Sequence, residues 1–226
     1  WISERYIQKG DDEMIDAVAA LENDPSYDVR VQILLSSYGS KSKKAEMLEQ
    51  SMLKNNAANE MITASYDALQ KKTMVSELSA QLAGFNKDDK RVIMEGAVTF
   101  RSICANCHGI EGKGISIGNS AMPAPPLINA TALRLDKKDM AIRILLHGMK
   151  GPVEGKSYPS EMPSMKENRD RWISSVLSYA RYQFGNKDKK GAKENITVSA
   201  AEVKAIRDKY ADRNNPWTMD ELKQIK

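Results

Sequence analysis

The segment "CANCHGIEGKG", residues 104–114, holds both cysteines of the 226-residue chain and one of its two histidines. Cys-x-x-Cys-His is the spacing of covalent haem attachment. Each thiol, Cys104 and Cys107, would add to a haem vinyl group and form a thioether, and the His108 imidazole would sit under the iron as its proximal ligand. Zinc competes for the same residue types, but a closed structural zinc site needs four Cys or His ligands, and only His147 remains to supply the fourth. A thioredoxin-type redox pair wants an alternating strand–helix context, which does not surround this motif. One covalent haem c is therefore the expected cofactor.

A haem iron bound by one histidine needs its other face assigned, because that ligand sets potential and reactivity. The candidates are Met122, His147, Met149, Met162 and Met165. Met122 precedes a proline but lies only fourteen residues beyond His108, and the intervening segment must first pass along the haem edge. His147 ends the apolar run "MAIRILLH", where a histidine in the last helical turn is an ordinary choice for the carboxyl end of the helix dipole. A His–His pair would lower the potential, and a methionine would raise it.

The elements that must position these groups read as helices. Met14, Ile15, Val18, Ala19 and Leu21 recur at helical spacing, as do Val31, Leu34, Leu35 and Tyr38. Met47, Leu48 and Met52 mark a third helix, and Met61, Ile62, Tyr66 and Leu69 a fourth. "AGFNKDDKR" reads as a junction, and the helix it starts runs into the haem motif. Beyond residue 185 the chain turns polar in "GNKDKKGAKEN". Two capping boxes follow, Ser199 with Glu202 and Thr218 with Glu221, each announcing a short helix. The expected organisation is a helical segment over 1–85, a haem domain over 86–185, and a connector with terminal helices over 186–226.

Charge follows the same division. Residues 1–84 carry 9 Lys and Arg against 13 Asp and Glu, a net of −4, and residues 85–185 carry 15 against 10, a net of +5. Basic residues scattered among acids, without interleaved aromatics, point away from nucleic acid. No apolar run reaches the ~20 residues needed to span a bilayer. Haem is attached to this motif outside the bacterial cytoplasm, so a periplasmic or otherwise exported protein is expected. The start "WISERYIQKG" has no initiator methionine and no export signal, which suggests a mature or excised piece of something longer.

In "GAVTFRSICANCH", Gly96, Phe100 and Cys104 fall four residues apart, and "RDRWISSVLSYARYQFG" supplies Val176 and Tyr179. Together they resemble the paired terminal helices of class I mono-haem c-type cytochromes, where a glycine permits close crossing and an aromatic packs beside it. That resemblance implies an all-α fold. It also implies a distal methionine on the loop before the last helix. "YPSEMPSMKENRDRWISSVLSYAR" fits with Met162 as ligand and Tyr158 beside the haem, Met165 being the runner-up. In the family a proline carbonyl accepts the proximal imidazole N–H, a place that Pro125 resembles.

Two further resemblances concern the setting. "DPSYDVRVQILLSSYG" resembles a HEAT-type repeat, with Asp24 and Arg30 at the positions of its polar ladder. "ILLHGMKGPVEGKSYPSEMP", "VLSYARYQFGN" and "ITVSAAEVKAIR" resemble the C-terminal cytochrome of exported bacterial proteins that join a sorbosone- or glucose-dehydrogenase-like propeller to HEAT-type helices. The resemblance implies electron transfer from a dehydrogenase domain or protein to another redox protein or membrane chain, with no substrate chemistry on this chain's own residues. Two alternatives stand beside it. One is a haem-based ligand sensor or peroxidase with a labile methionine, and the other a HEAT-type docking scaffold.

Overall fold

The computed structural model describes residues 3–115, 123–186 and 195–225. Met122 and most of the polar connector, residues 187–194, lie outside the described residues. The fold is all-α, and among the described residues the extended pairings are isolated bridges only. The chain divides into two compact units, Trp1–Leu78 and Ser79–Lys226.

The first unit contains α1 (Glu4–Lys9), α2 (Asp12–Ala19), α3 (Tyr27–Ser37), α4 (Lys43–Asn55) and the greater part of α5 (Glu60–Gln81). Side-chain oxygens start at least three of these helices, α5 among them, where Asn59 Oδ1 accepts from the Met61 and Ile62 N–H groups. Asp11 accepts from the Met14 N–H, and Ser42 accepts from the Lys44 N–H, each partnering a donor that the first helical turn leaves free. Ile7, Ile15, Leu34, Met52 and Ile62 form a closed core. The apolar stripes of the sequence are only partly the buried faces. Met47, Met61 and Leu21 are exposed, whereas Ile33, Ser36 and Ser37 of α3 are buried. Ser36 is covered by polar side chains, its carbonyl accepting from Gln8 Nε2 at 2.8 Å and its Oγ from Gln32 Nε2 at 3.0 Å, which periodicity of large apolar residues does not register. Asp24 accepts from the Ser26 N–H, and Arg30 donates to Asn56 at 2.7 Å while lying over the Tyr27 ring.

The second unit is built from α6 (Lys87–Thr99), α7 (Ala105–His108), α8 (Lys138–His147), α9 (Asp170–Ala180), α10 (Ala200–Lys209) and α11 (Met219–Gln224). Asn86 caps α6 by accepting from the Asp89 N–H at 2.9 Å. Both expected capping boxes are formed, Ser199–Glu202 on α10 and Thr218–Glu221 on α11. Helices α6 and α9 cross at Gly96. A Cβ there would overlap the Ser175 carbonyl and lie 2.9 Å from the Tyr179 Cβ. Around the crossing, the Phe100 ring packs on Tyr179 at 5.5 Å and on Phe184 at 5.0 Å between centroids.

Helix α9 is also bonded to the chain that precedes α10. Ser174 Oγ donates to the Val198 carbonyl at 2.6 Å, and the Val198 N–H donates to Ser178 Oγ at 2.9 Å. Arg181, fully buried, extends this seam. Its guanidinium donates to the carbonyls of Ile196, Arg134, Leu135 and Asn195 at 2.7–3.3 Å. Burial lowers its pKa, but a guanidinium remains charged, so these carbonyls replace the water it has lost.

Gly96→Ala is expected to destabilise the second unit by at least about 2 kcal/mol, since the added methyl meets backbone rather than a movable side chain. Chemical denaturation followed by helical circular dichroism measures it. An unchanged midpoint would show that the crossing has slack.

Candidate haem site

The site is assembled at the end of α6. Past Thr99 the helix widens to a π-helical turn over Phe100–Cys104, then tightens again in α7. Such local widening re-aims side chains and recurs at functional sites. Gly109 ends α7 with φ +73° and ψ 153°, a conformation essentially reserved for glycine. A Cβ on Gly109 would lie 2.6 Å from the Gly114 carbonyl, and the Gly114 N–H donates back to the His108 carbonyl at 2.8 Å. The segment after the motif is thus folded tightly against it.

His108 Nδ1 lies 2.9 Å from the Pro125 carbonyl. A carbonyl only accepts, so Nδ1 carries the proton and Nε2 keeps its lone pair. Burial lowers the His108 pKa, with the Pro125 bond opposing, and the ring is neutral at neutral pH. Cys104 is half-buried, Cys107 exposed. Burial, and secondarily the neighbouring Cys107, pushes the Cys104 thiol up to about 11. A thiol so placed is a poor free nucleophile. It suits a permanent covalent anchor better than turnover chemistry.

Phe100, Cys104 and His108 line a cavity of about 320 Å³ whose remaining walls are mostly apolar. Pro125, Leu127 and Leu133 contribute from the segment after the motif, Leu145 from α8, and Val176, Leu177 and Ala180 from α9. Tyr158 and Met162 also line it, as does Met149. Met149 and Met162 exchange backbone hydrogen bonds at 3.0 and 2.9 Å, which puts their side chains on one face of the pair. Met165 lies elsewhere. Its N–H donates to the Leu145 carbonyl at 2.9 Å, and its side chain packs on the core between α8, α9 and α10.

His147 does not line the cavity. Its Nδ1 lies 3.2 Å from the Arg213 carbonyl, and its ring meets Tyr210 and Trp217 edge-on. Burial lowers its pKa, so it too is neutral. Among the described residues no three His, Cys, Asp or Glu side chains gather as metal ligands, which leaves the zinc alternative without a ligand set. Several cavity residues had no signal in the sequence, the most distant being Met219. Met219 reaches the wall from α11, more than a hundred residues from the motif.

These residues fit a haem: two thiols at attachment spacing, a neutral imidazole with a free Nε2, three thioethers, and apolar walls for a flat apolar ring. Residues 93–179 match the family model for cytochrome c. This segment is a cytochrome c domain. Such a domain binds haem c covalently and serves haem-based electron transfer, with a redox protein as partner. No curated protein matches the chain. The cytochrome c match begins at Ile93, one turn before the Gly96 crossing, and ends at Tyr179, the residue that packs on Phe100. No helix among the described residues is long and apolar enough to cross a membrane.

Gly109→Ala is expected to cost about 1–3 kcal/mol through backbone strain, and to shift His108 away from Pro125. Denaturation of the variant, with the yield of haem-loaded protein, tests both effects.

Proposed function

We propose that this protein passes electrons through a single haem c that Cys104 and Cys107 would hold covalently and whose iron His108 and Met162 would ligate. The observation that carries the reading is the His108 imidazole, fixed by the Pro125 carbonyl, in the same apolar cavity as the Met162 thioether. Bound there, the haem supplies a one-electron iron couple. The chain's own residues hold that couple ready. Pro125 fixes the tautomer and orientation of His108, so Nε2 needs no proton loss before it ligates. A neutral thioether and a neutral imidazole would add no charge at the iron, a pairing that would favour the reduced state and raise the potential. Phe100, Leu145 and Leu177 keep water from the ring. Tyr158 lies at the cavity wall as a further haem contact.

Exposed Cys107, with exposed Ile103 and Ile110 on either side of the motif, supports electron exchange at this edge. An apolar rim there suits brief contact with another redox protein. The donor we propose is a dehydrogenase domain or protein, and the acceptor a second redox protein or a membrane chain. The attachment chemistry supports a periplasmic or otherwise exported location. In this reading residues 1–85 are a HEAT-like spacer or docking segment that precedes the cytochrome of 86–185 and the C-terminal helices of 186–226.

Haem should remain with the polypeptide through acid–acetone extraction, and the intact mass should exceed that of the bare chain by one haem. Met162→Ala should abolish the weak sulfur-to-iron absorption band, lower the potential and admit carbon monoxide, whereas Met165→Ala should not. Release of the pigment on extraction would refute covalent attachment, and the reverse methionine pattern would reassign the ligand.

A further inference from the structure

Residues 195–225 lie beyond the cytochrome c match, yet they grip the Met162 loop at two places. At the first, the Trp217 N–H donates to the Gly148 carbonyl at 3.0 Å, and the Lys150 N–H donates to the Trp217 carbonyl at 2.8 Å. Met149, between those two residues, uses its own N–H and carbonyl on Met162. Two isolated bridges thus link Trp217 to Met149 and Met149 to Met162. Two residues further on, Met219 forms part of the cavity wall. At the second place, Arg207 on α10 holds the chain that follows Met162. It donates to the Lys166 carbonyl, to the Asn168 carbonyl at 2.8 Å and to the Asp170 carboxylate at 2.7 Å.

We infer that this C-terminal segment is a clamp on the distal loop, with Arg207, Trp217 and Met219 as positioning residues that keep the Met162 thioether seated. The inference rests on the reading of Met162 as a haem ligand. Between Gly148 and Asp170 the chain has no helix, and its pairings are isolated bridges. Segments of that kind open at low free energy. A methionine side chain has three rotatable bonds, so its thioether stays in place only if the backbone beneath it does. Trp217 is well fixed for this purpose. It is 3% exposed, Arg213 lies 3.3 Å above its ring, and Arg213 is in turn paired with Glu221 at 3.0 Å. The apparent affinity of any competing ligand scales with the fraction of time the loop is open, so clamp strength converts directly into closure of the site.

Carbon monoxide binding to the reduced, haem-loaded full chain reads that fraction, together with the midpoint potential and the sulfur-to-iron band. Arg207→Ala removes charge-assisted bonds from a partly exposed side chain. It is expected to raise carbon monoxide affinity about tenfold or more and to lower the potential, a tenfold change being about 1.4 kcal/mol. Met219→Ala should act in the same direction, and Arg207→Lys should restore part of the loss. In a Met162→Ala background Arg207→Ala should change the affinity less than about twofold, because no thioether is left to position. Wild-type affinity and potential in both Arg207→Ala and Met219→Ala, beside a Met162→Ala variant that changes them, would overturn the clamp alone. A lowered melting temperature with an unchanged band and potential would do the same, by making the contacts merely structural. If Met162→Ala itself changes nothing, the ligand reading fails and the clamp fails with it.

Discussion

At Gly96 the backbone of α6 lies against the Ser175 carbonyl of α9, with no room for a side chain between them. That closeness sets the dimensions of everything around it. Phe100, one turn later, is carried onto Tyr179 and Phe184, and Cys104 and His108 follow on the widened and re-tightened helix. The facing wall comes from the partner helix, as Val176, Leu177 and Ala180. Both walls of the cavity therefore hang from one crossing, and its spacing fixes how far the attachment cysteine stands from the opposite side. A planar cofactor tolerates little error in that spacing, because a gap of a fraction of an ångström already forfeits much of the dispersion contact.

The polar groups near this apolar cavity are few and mostly assigned. His108 gives its one N–H to Pro125. The carboxyl end of α8 would leave carbonyls without helical partners. Leu146 receives Ser164 Oγ at 2.6 Å, Leu145 receives the Met165 N–H, and the Gly148 N–H closes on Ile144. Gly148 is required at this turn. Its φ is +80°, and a Cβ would overlap the Met162 carbonyl. The same three residues that terminate α8 thus lay down the loop bearing Met162. Just past the end of α9 the Arg181 guanidinium gathers carbonyls from residues 134–135 and 195–196, joining two other segments to that helix. Helix termination and site construction are one set of interactions here.

What was legible in the sequence was local or tied to a fixed spacing. The haem motif, the Gly96–Phe100–Cys104 periodicity and the two capping boxes depend on residues within a few positions of one another, and side-chain chemistry at such range has few alternatives. The choice among sulfurs was only partly legible. Met162 and Met165 are three residues apart on an irregular loop, and which of them meets the cavity depends on the pairing with Met149, a contact that no local pattern encodes. His147 reads first as a helix-end residue and second as a ligand, and the Arg213 carbonyl that engages it lies 66 positions away. The first helix, Glu4–Lys9, carries no apolar period, because only Ile7 is buried. Nothing near Arg181 in sequence shows that four carbonyls converge on it.

The stretch that matches cytochrome c ends at Tyr179, but the packing does not. Every residue of α8 from Met140 to His147 is buried, and so is every residue of α9 from Ile173 to Ala180. A helix buried all round needs cover on every side. The cavity and α6 supply part of that cover. The rest comes from Val198, Val203 and Ile206, which join Ile142, Leu146, Ile173 and Val176 in one core. The Lys138–Glu202 pair, at 2.8 Å, ties α8 to α10 along the same seam, and Glu202 is at once the acid of the α10 capping box. Around Trp217 a second core of Met140, Ile144, Met149, Met219 and Leu222 closes the other flank of α8. Lacking these residues, α8 would present Ile142 and Leu146 to water, and the helix that anchors the methionine loop would lose its backing. The folded unit around the cavity is therefore longer than the family segment, and its C-terminal part packs as core rather than as an appendage.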